Sequence, residues 1–212
     1  MTITVDIRPK GIESAIVYAR FDRALAELQK NGYKLISLED NAQLQIQQGK
    51  DHYISKNGNW VEEGVLYVPG KGRFITRCSP ILDHPRKATQ AHRNGEEYFV
   101  SDSQVKKALE ESIQIPYDVN AIPTNRFGKN AITMFCFGKN AKDYGLFLKD
   151  AGISDMSLWL NKESYVQKQE KPYANQLWLG DISGRFVLVG NYEGFHHNLL
   201  SRGIGKWCRR HS

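Results

Sequence analysis

The run Ile132-Thr133-Met134-Phe135-Cys136-Phe137 constrains the architecture most, because it must be covered by the rest of the chain. A continuous apolar run this short reads as a strand buried on both faces. The residues downstream fit that reading. Asn140 is placed to cap a helix whose stripe is Tyr144, Phe147, Leu148 and Ala151, with Gly152 as its stop. Residues 156–160, Met-Ser-Leu-Trp-Leu, read as a second strand. Strand, helix and strand with short joins predict a βαβ unit over about residues 132–160, crossing right-handed with its strands parallel.

Two hairpins are expected. One spans residues 64–76 around Pro69-Gly70-Lys71-Gly72, and the other spans 176–189 around Ser183-Gly184. Helical patterns occupy residues 22–30, with Leu25 and Leu28 on one face and Asn31-Gly32 as the stop, and residues 37–49, with Ser37 as cap. In the second of these, Ala42, Leu44 and Ile46 also alternate, which leaves a strand open. Asp83 with Pro85, and Ser101 or Ser103, mark two further helix starts. Residues 33–36 and 97–100 read as strands, and residues 12–19 fit either type. Hairpins plus one βαβ unit predict an α+β fold: a mixed β-sheet with helices packed on it. No Pro, Ser or Gly-rich linker interrupts the chain, so a single domain over 1–212 is expected, with a basic C-terminal segment at 194–212. The weakest join is at 116–123, where Ile115-Pro116 and Ile122-Pro123 push the backbone toward extended geometry.

No stretch approaches the roughly 18 uninterrupted apolar residues of a membrane span. The N-terminus lacks the basic start and apolar run of a secretory signal. Cys78, Cys136 and Cys208 are odd in number and widely spaced, which argues against a disulfide framework and for a reducing compartment. A cytoplasmic protein is expected.

Charge gives the functional lead. Of a formal net charge of +6, four units come from Arg202, Lys206, Arg209 and Arg210, in a segment (194–212) without Asp or Glu. A local basic patch points to an anionic partner, most simply nucleic acid met through its phosphates. If that segment is helical, these cations form one stripe at i, i+4, i+7 and i+8, although Gly203 and Gly205 weaken such a helix. Lys71 and Arg73 on the first hairpin are possible additions. So are Gly138, Lys139 and Asn140, where backbone N–H groups at a helix start and a lysine suit a phosphate or carboxylate. The alternatives are a charged turn, a capped helix and a solvated tail.

The second reading is an enzyme acting on a phosphorylated or carboxylated small molecule bound near 138–140. The third is a protein–protein module without chemistry. Phe-Gly-Lys-Asn-Ala occurs at 127–131 and again at 137–141, but the full P-loop spacing is missing. The chain has no His-Glu-x-x-His, Gly-x-Ser-x-Gly, Gly-x-Gly-x-x-Gly or Cys-x-x-Cys. Its histidines do not assemble into a metal motif, so neither a metal nor a cofactor is expected.

Overall fold

The computed structural model describes residues 3–7, 13–182, 184–191 and 202–207, with side chains over 14–182 and 184–191. β1 (Ile3–Ile7) and β2 (Glu13–Tyr18) are followed by α1 (Phe21–Lys30), β3 (Tyr33–Leu35), α2 (Leu38–Gln48) and the single-turn α3 (Tyr53–Lys56). The long β4 (Asn59–Val68) turns back into β5 (Gly72–Thr76). Then come α4 (Pro85–Arg93), β6 (Tyr98–Phe99), α5 (Asp102–Glu110), β7 (Ser112–Ile115), β8 (Ala121–Pro123), α6 (Ala131–Phe137) and α7 (Ala141–Asp150). β9 (Asp155–Trp159), α8 (Glu163–Val166), β10 (Tyr173–Ile182), β11 (Arg185–Val189) and β12 (Arg202–Trp207) complete the described chain.

The strands form one mixed sheet in the order β1-β2-β12-β4-β10-β11-β9-β8, with β3, β5, β6 and β7 branching from it. β9 with β11 and β12 with β4 are parallel, and the other pairs are antiparallel. This is the expected α+β architecture, and both expected hairpins are present as β4–β5 and β10–β11. β4 and β10 lie at the centre and are buried along nearly their whole length. One face of the sheet carries α2, α6 and α7 through Leu38, Ala42, Cys136, Phe137, Tyr144 and Leu148. The other carries α1, α4 and α5 through Leu25, Leu28, Ala88 and Ala108.

The helix starts follow their caps. Ser37 Oγ accepts from the Asp40 N–H at 3.1 Å and begins α2, so the helical reading of 37–49 holds. Ser101 and Gln104 form a reciprocal capping box at the start of α5, with Ser101 N–H donating to Gln104 Oε1 at 3.1 Å. Ser101→Ala is expected to lower stability by about 1 kcal/mol, read as a shift in the denaturation midpoint. Of the ambiguous stretch 12–19, Glu13–Tyr18 form strand β2.

The βαβ unit is not formed. Residues 131–137 are helix α6. Asn130 Oδ1 accepts from the Ile132 and Thr133 N–H groups at 3.0 and 3.2 Å, which is an N-cap. Gly138, at φ +52°, ends the helix. Ile132, Thr133, Cys136 and Phe137 face inward at helical spacing, while Met134 is 51% exposed. A six-residue apolar run satisfies either period, and here the cap and the terminal glycine decide. β9 therefore has no parallel partner at 132–137; it lies between β11 and β8. The repeated pentapeptide is two similar turns into helices. Its two phenylalanines, Phe127 and Phe137, stack with centroids 5.7 Å apart and planes 7° apart.

Candidate functional site

Among the described residues, the structure separates Arg202 from the Lys71 turn at the other end of β4. Arg202 and Lys206 lie in β12, an internal strand bonded to β2, β3 and β4, so the helical stripe does not form. Strand neighbours supply the ladder that Gly203 and Gly205 leave a helix too weak to compete with. Arg209 and Arg210 lie outside the described residues. Gly203 pairs with Trp60 near the start of β4, whereas Lys71 lies just beyond its end. Eight residue steps lead from Trp60 to Val68, a span of roughly 26 Å. Arg202 and the Lys71 turn thus sit at opposite ends of that strand.

The corner at 138–140 does not present an open anion seat. A Cβ placed on Gly138 would lie 2.6 Å from the Glu39 carboxyl carbon, so a carboxylate of the chain itself packs against that backbone. The Asn140 amide donates to the Glu39 carbonyl at 3.3 Å instead of capping α7. Lys139 stands in the 3-10 turn between α6 and α7.

Arg73 is the cation with a built environment. It is 1% exposed, the largest of the fully buried side chains. Its register opposite Ile115 in β7 sends the guanidinium to the loop beyond β7. Nε donates to the Ile115 carbonyl at 3.3 Å and Nη1 to the Asn161 carbonyl at 3.3 Å. Nη2 donates to the carbonyls of Pro116 at 2.8 Å and Val119 at 3.0 Å. Tyr117 lies across the guanidinium, 5.2 Å from ring centroid to Cζ. Four of the five N–H donors of the fork are used, and one on Nη1 is left. Among the described residues no carboxylate pairs with Arg73. Burial pulls its pKa below the usual guanidinium value, and Tyr67, Tyr117 and Asp118 oppose that shift.

The floor beside it is fixed. The Asn161 N–H donates to Tyr67 Oη at 3.1 Å, and the Asn161 amide donates to Tyr173 Oη at 3.0 Å. Tyr67 donates in turn to the Gly190 carbonyl at 2.8 Å and stacks on Tyr173 at 4.8 Å. Asn161 therefore joins Arg73 to the central strands and holds the start of α8 in place. Above this floor is an open cavity of about 680 Å³, lined by Arg73, Tyr117, Asp118, Asn120 and residues 162–164. Lys162, Glu163, Ser164, Asp118 and Asn120 stand on its walls. The Tyr117 hydroxyl is buried with no hydrogen-bond partner among the described residues. Burial, and then Glu163, push its pKa up, against the pull of Arg73. The Lys71 turn is tied to the same end of the molecule: the Gly70 N–H donates to Gln167 Oε1 at 2.9 Å, just beyond α8. Chemically, the arrangement is a fixed buried cation with exposed charged groups of both signs around its mouth, suited to holding a small ionic group.

No family model matches the chain, and no curated protein sequence matches it. Among solved structures it is similar to a protein described as "Accommodation of massive sequence variation in Nanoarchaeota by the C-type lectin fold". The TM-score is 0.67 over 95% of this chain and 100% of that one, at 16% sequence identity. The fold is the C-type lectin fold.

Within this C-type lectin fold, the sequence pointed to Lys71 and Arg73 but missed Tyr117, Asp118, Asn120 and residues 162–164. The first three belong to the stretch at 116–123 read only as a connector, and the others to a polar stretch without periodicity. Two prolines bracketing a tyrosine and an aspartate signal a shaped loop, but not which buried side chain organises it. The sequence offers Arg73 as a phosphate contact or as part of a charged turn, whereas the structure buries it between β7 and Asn161. No helix among the described residues is long and apolar enough to cross a membrane.

Proposed function

We propose that this chain is a binding protein that receives an anionic group of its partner in the Arg73 cavity. The observation that carries the reading is Arg73, buried as a residue with its guanidinium held by four carbonyls, lining a cavity that Lys162 also lines. Its desolvation and orientation are already met by the fold, so an arriving anion gains charge-assisted contact without ordering the arginine. Lys162, exposed at the rim, would close on the anion from the other side. The nanoarchaeal neighbour, described as a fold that accommodates sequence variation, supports reading this chain as a scaffold that displays surface groups. A reducing cytoplasm suits it, since Cys78 and Cys136 are free thiols.

Calorimetric titration with N-acetyl-L-alanine, a carboxylate without a free amine, tests the reading. Lys162→Ala should weaken binding about tenfold while leaving the fold intact, the usual cost of losing one charged hydrogen bond. Equal affinity in the two proteins, or no binding to either, would overturn it. A single-stranded oligonucleotide forms the second arm. Strongly salt-dependent binding that survives Lys162→Ala would assign the partner to nucleic acid and to the C-terminal cations instead.

A further inference from the structure

We infer that the ligand of the Arg73 cavity is a free α-amino acid held as a zwitterion, an inference that rests on the anion-binding reading above. The cavity is lined by two cationic side chains, Arg73 and Lys162, and by two anionic ones, Asp118 and Glu163. Opposite charges around one open space ordinarily pair with one another. Here, among the described residues, Lys162, Asp118 and Glu163 form no ion pair and no side-chain hydrogen bond, and Arg73 is bonded only to carbonyls. The backbone explains the separation. Arg73 pins the loop that carries Asp118, through the Pro116 and Val119 carbonyls. Asn161 pins the start of α8, which carries Lys162 and Glu163. The four charges thus stand on separately anchored segments around the opening, two of each sign.

A ligand with only a negative charge would meet Arg73 and Lys162 at the expense of repulsion from Asp118 and Glu163. A ligand carrying a carboxylate and an ammonium on one carbon satisfies all four groups. Its carboxylate faces the remaining Nη1–H of Arg73 and the Lys162 ammonium, and its ammonium faces the two acids. Asn120 and Ser164 offer neutral hydrogen bonds at the same rim. The volume of about 680 Å³ leaves space for a side chain as well as the α-carbon and its charged groups.

The test is calorimetry with the standard L-amino acids, then with the N-acetyl and amide derivatives of the one that binds best. The zwitterion should bind about tenfold tighter than either derivative, since each lacks one charge-assisted contact. Asp118→Asn and Glu163→Gln should weaken the amino acid while leaving the N-acetyl form unchanged or tighter. Binding of N-acetyl-L-alanine with no free amino acid bound, or amino-acid binding indifferent to both substitutions, would overturn the inference and leave the anion-binding reading standing. Absence of binding by every compound would remove both.

Discussion

Gly58→Ala should abolish the native packing around Trp178 and cost about 3 kcal/mol or more, above the ordinary range for a surface-loop change. A Cβ built on Gly58 falls within the Trp178 indole itself. Gly180 faces the same ring from β10, and a Cβ there would lie 2.6 Å from Trp178 Cη2 and 2.9 Å from the Gly58 backbone nitrogen. The indole is therefore stacked on bare backbone at both glycines. The two sites differ in what yields. At position 58 the clash is with a side chain, so Gly58→Ala combined with Trp178→Ala should recover much of the lost stability. At position 180 the clash includes backbone, so removing the indole should recover less. Urea denaturation of the two single variants and the two double variants reads this out. Wild-type stability for Gly58→Ala would show that Trp178 is free to leave its place, contrary to the packing described.

The second large effect is on pH dependence. Glu63 lies in β4, 5% exposed, under the start of α2, and its carboxylate accepts from the Leu38 N–H at 2.9 Å. Desolvation pushes its pKa up to about 8, against the Leu38 hydrogen bond and the more distant Arg77, with Glu62 adding to the rise. A carboxyl whose folded pKa exceeds its unfolded value holds its proton more tightly in the fold. Its contribution to stability is therefore full below the unfolded pKa, near 4.5, and is lost as pH rises toward about 8. The expected decline is roughly 2–5 kcal/mol over that window. Glu62 and Glu97 are also raised by burial and act in the same direction. Asp22 acts in the opposite one: burial raises its pKa, but the Arg20 guanidinium at 2.6 and 2.7 Å outweighs that. Its contribution is present above the ordinary carboxylate range and is lost on acidification. Glu63→Gln keeps an acceptor for Leu38 and removes this titration, so its loss of stability between pH 5 and 8 should be clearly smaller than that of the wild type, with Glu62 and Glu97 left to contribute. A variant as pH-dependent as the wild type would place the titration elsewhere.

The contrast between what the residues announce and what they hide has a physical pattern. Local signals held where a specific hydrogen bond enforces them: Ser37 and Ser101 cap the helices they precede, and Gly70 and Gly72 turn the first hairpin. The α+β class was read from two hairpins, which form, and from a βαβ unit, which does not. Residues 132–137 misled because a short apolar run fits either helix or strand, and the cap at Asn130 belongs to the same pentapeptide that elsewhere reads as a loop. The C-terminal strand misled for another reason. Its partners, β2 and β3, are more than 160 residues away in the chain, and no local pattern encodes so distant a ladder. Arg73 shows the same limit at the site. That it is basic and sits on a hairpin is local, but the four carbonyls that bury it come from residues 115, 116, 119 and 161.

The Nε–H resonance of Arg73 should be resolved and slow to exchange, since the group is buried and bonded to Ile115. Monitoring it by NMR during titration with N-acetyl-L-alanine observes the proposed contact at its own atoms. A saturable shift of that resonance, weakened by Lys162→Ala, is the predicted result. A resonance that stays fixed while the carboxylate binds elsewhere, or does not bind, contradicts the account.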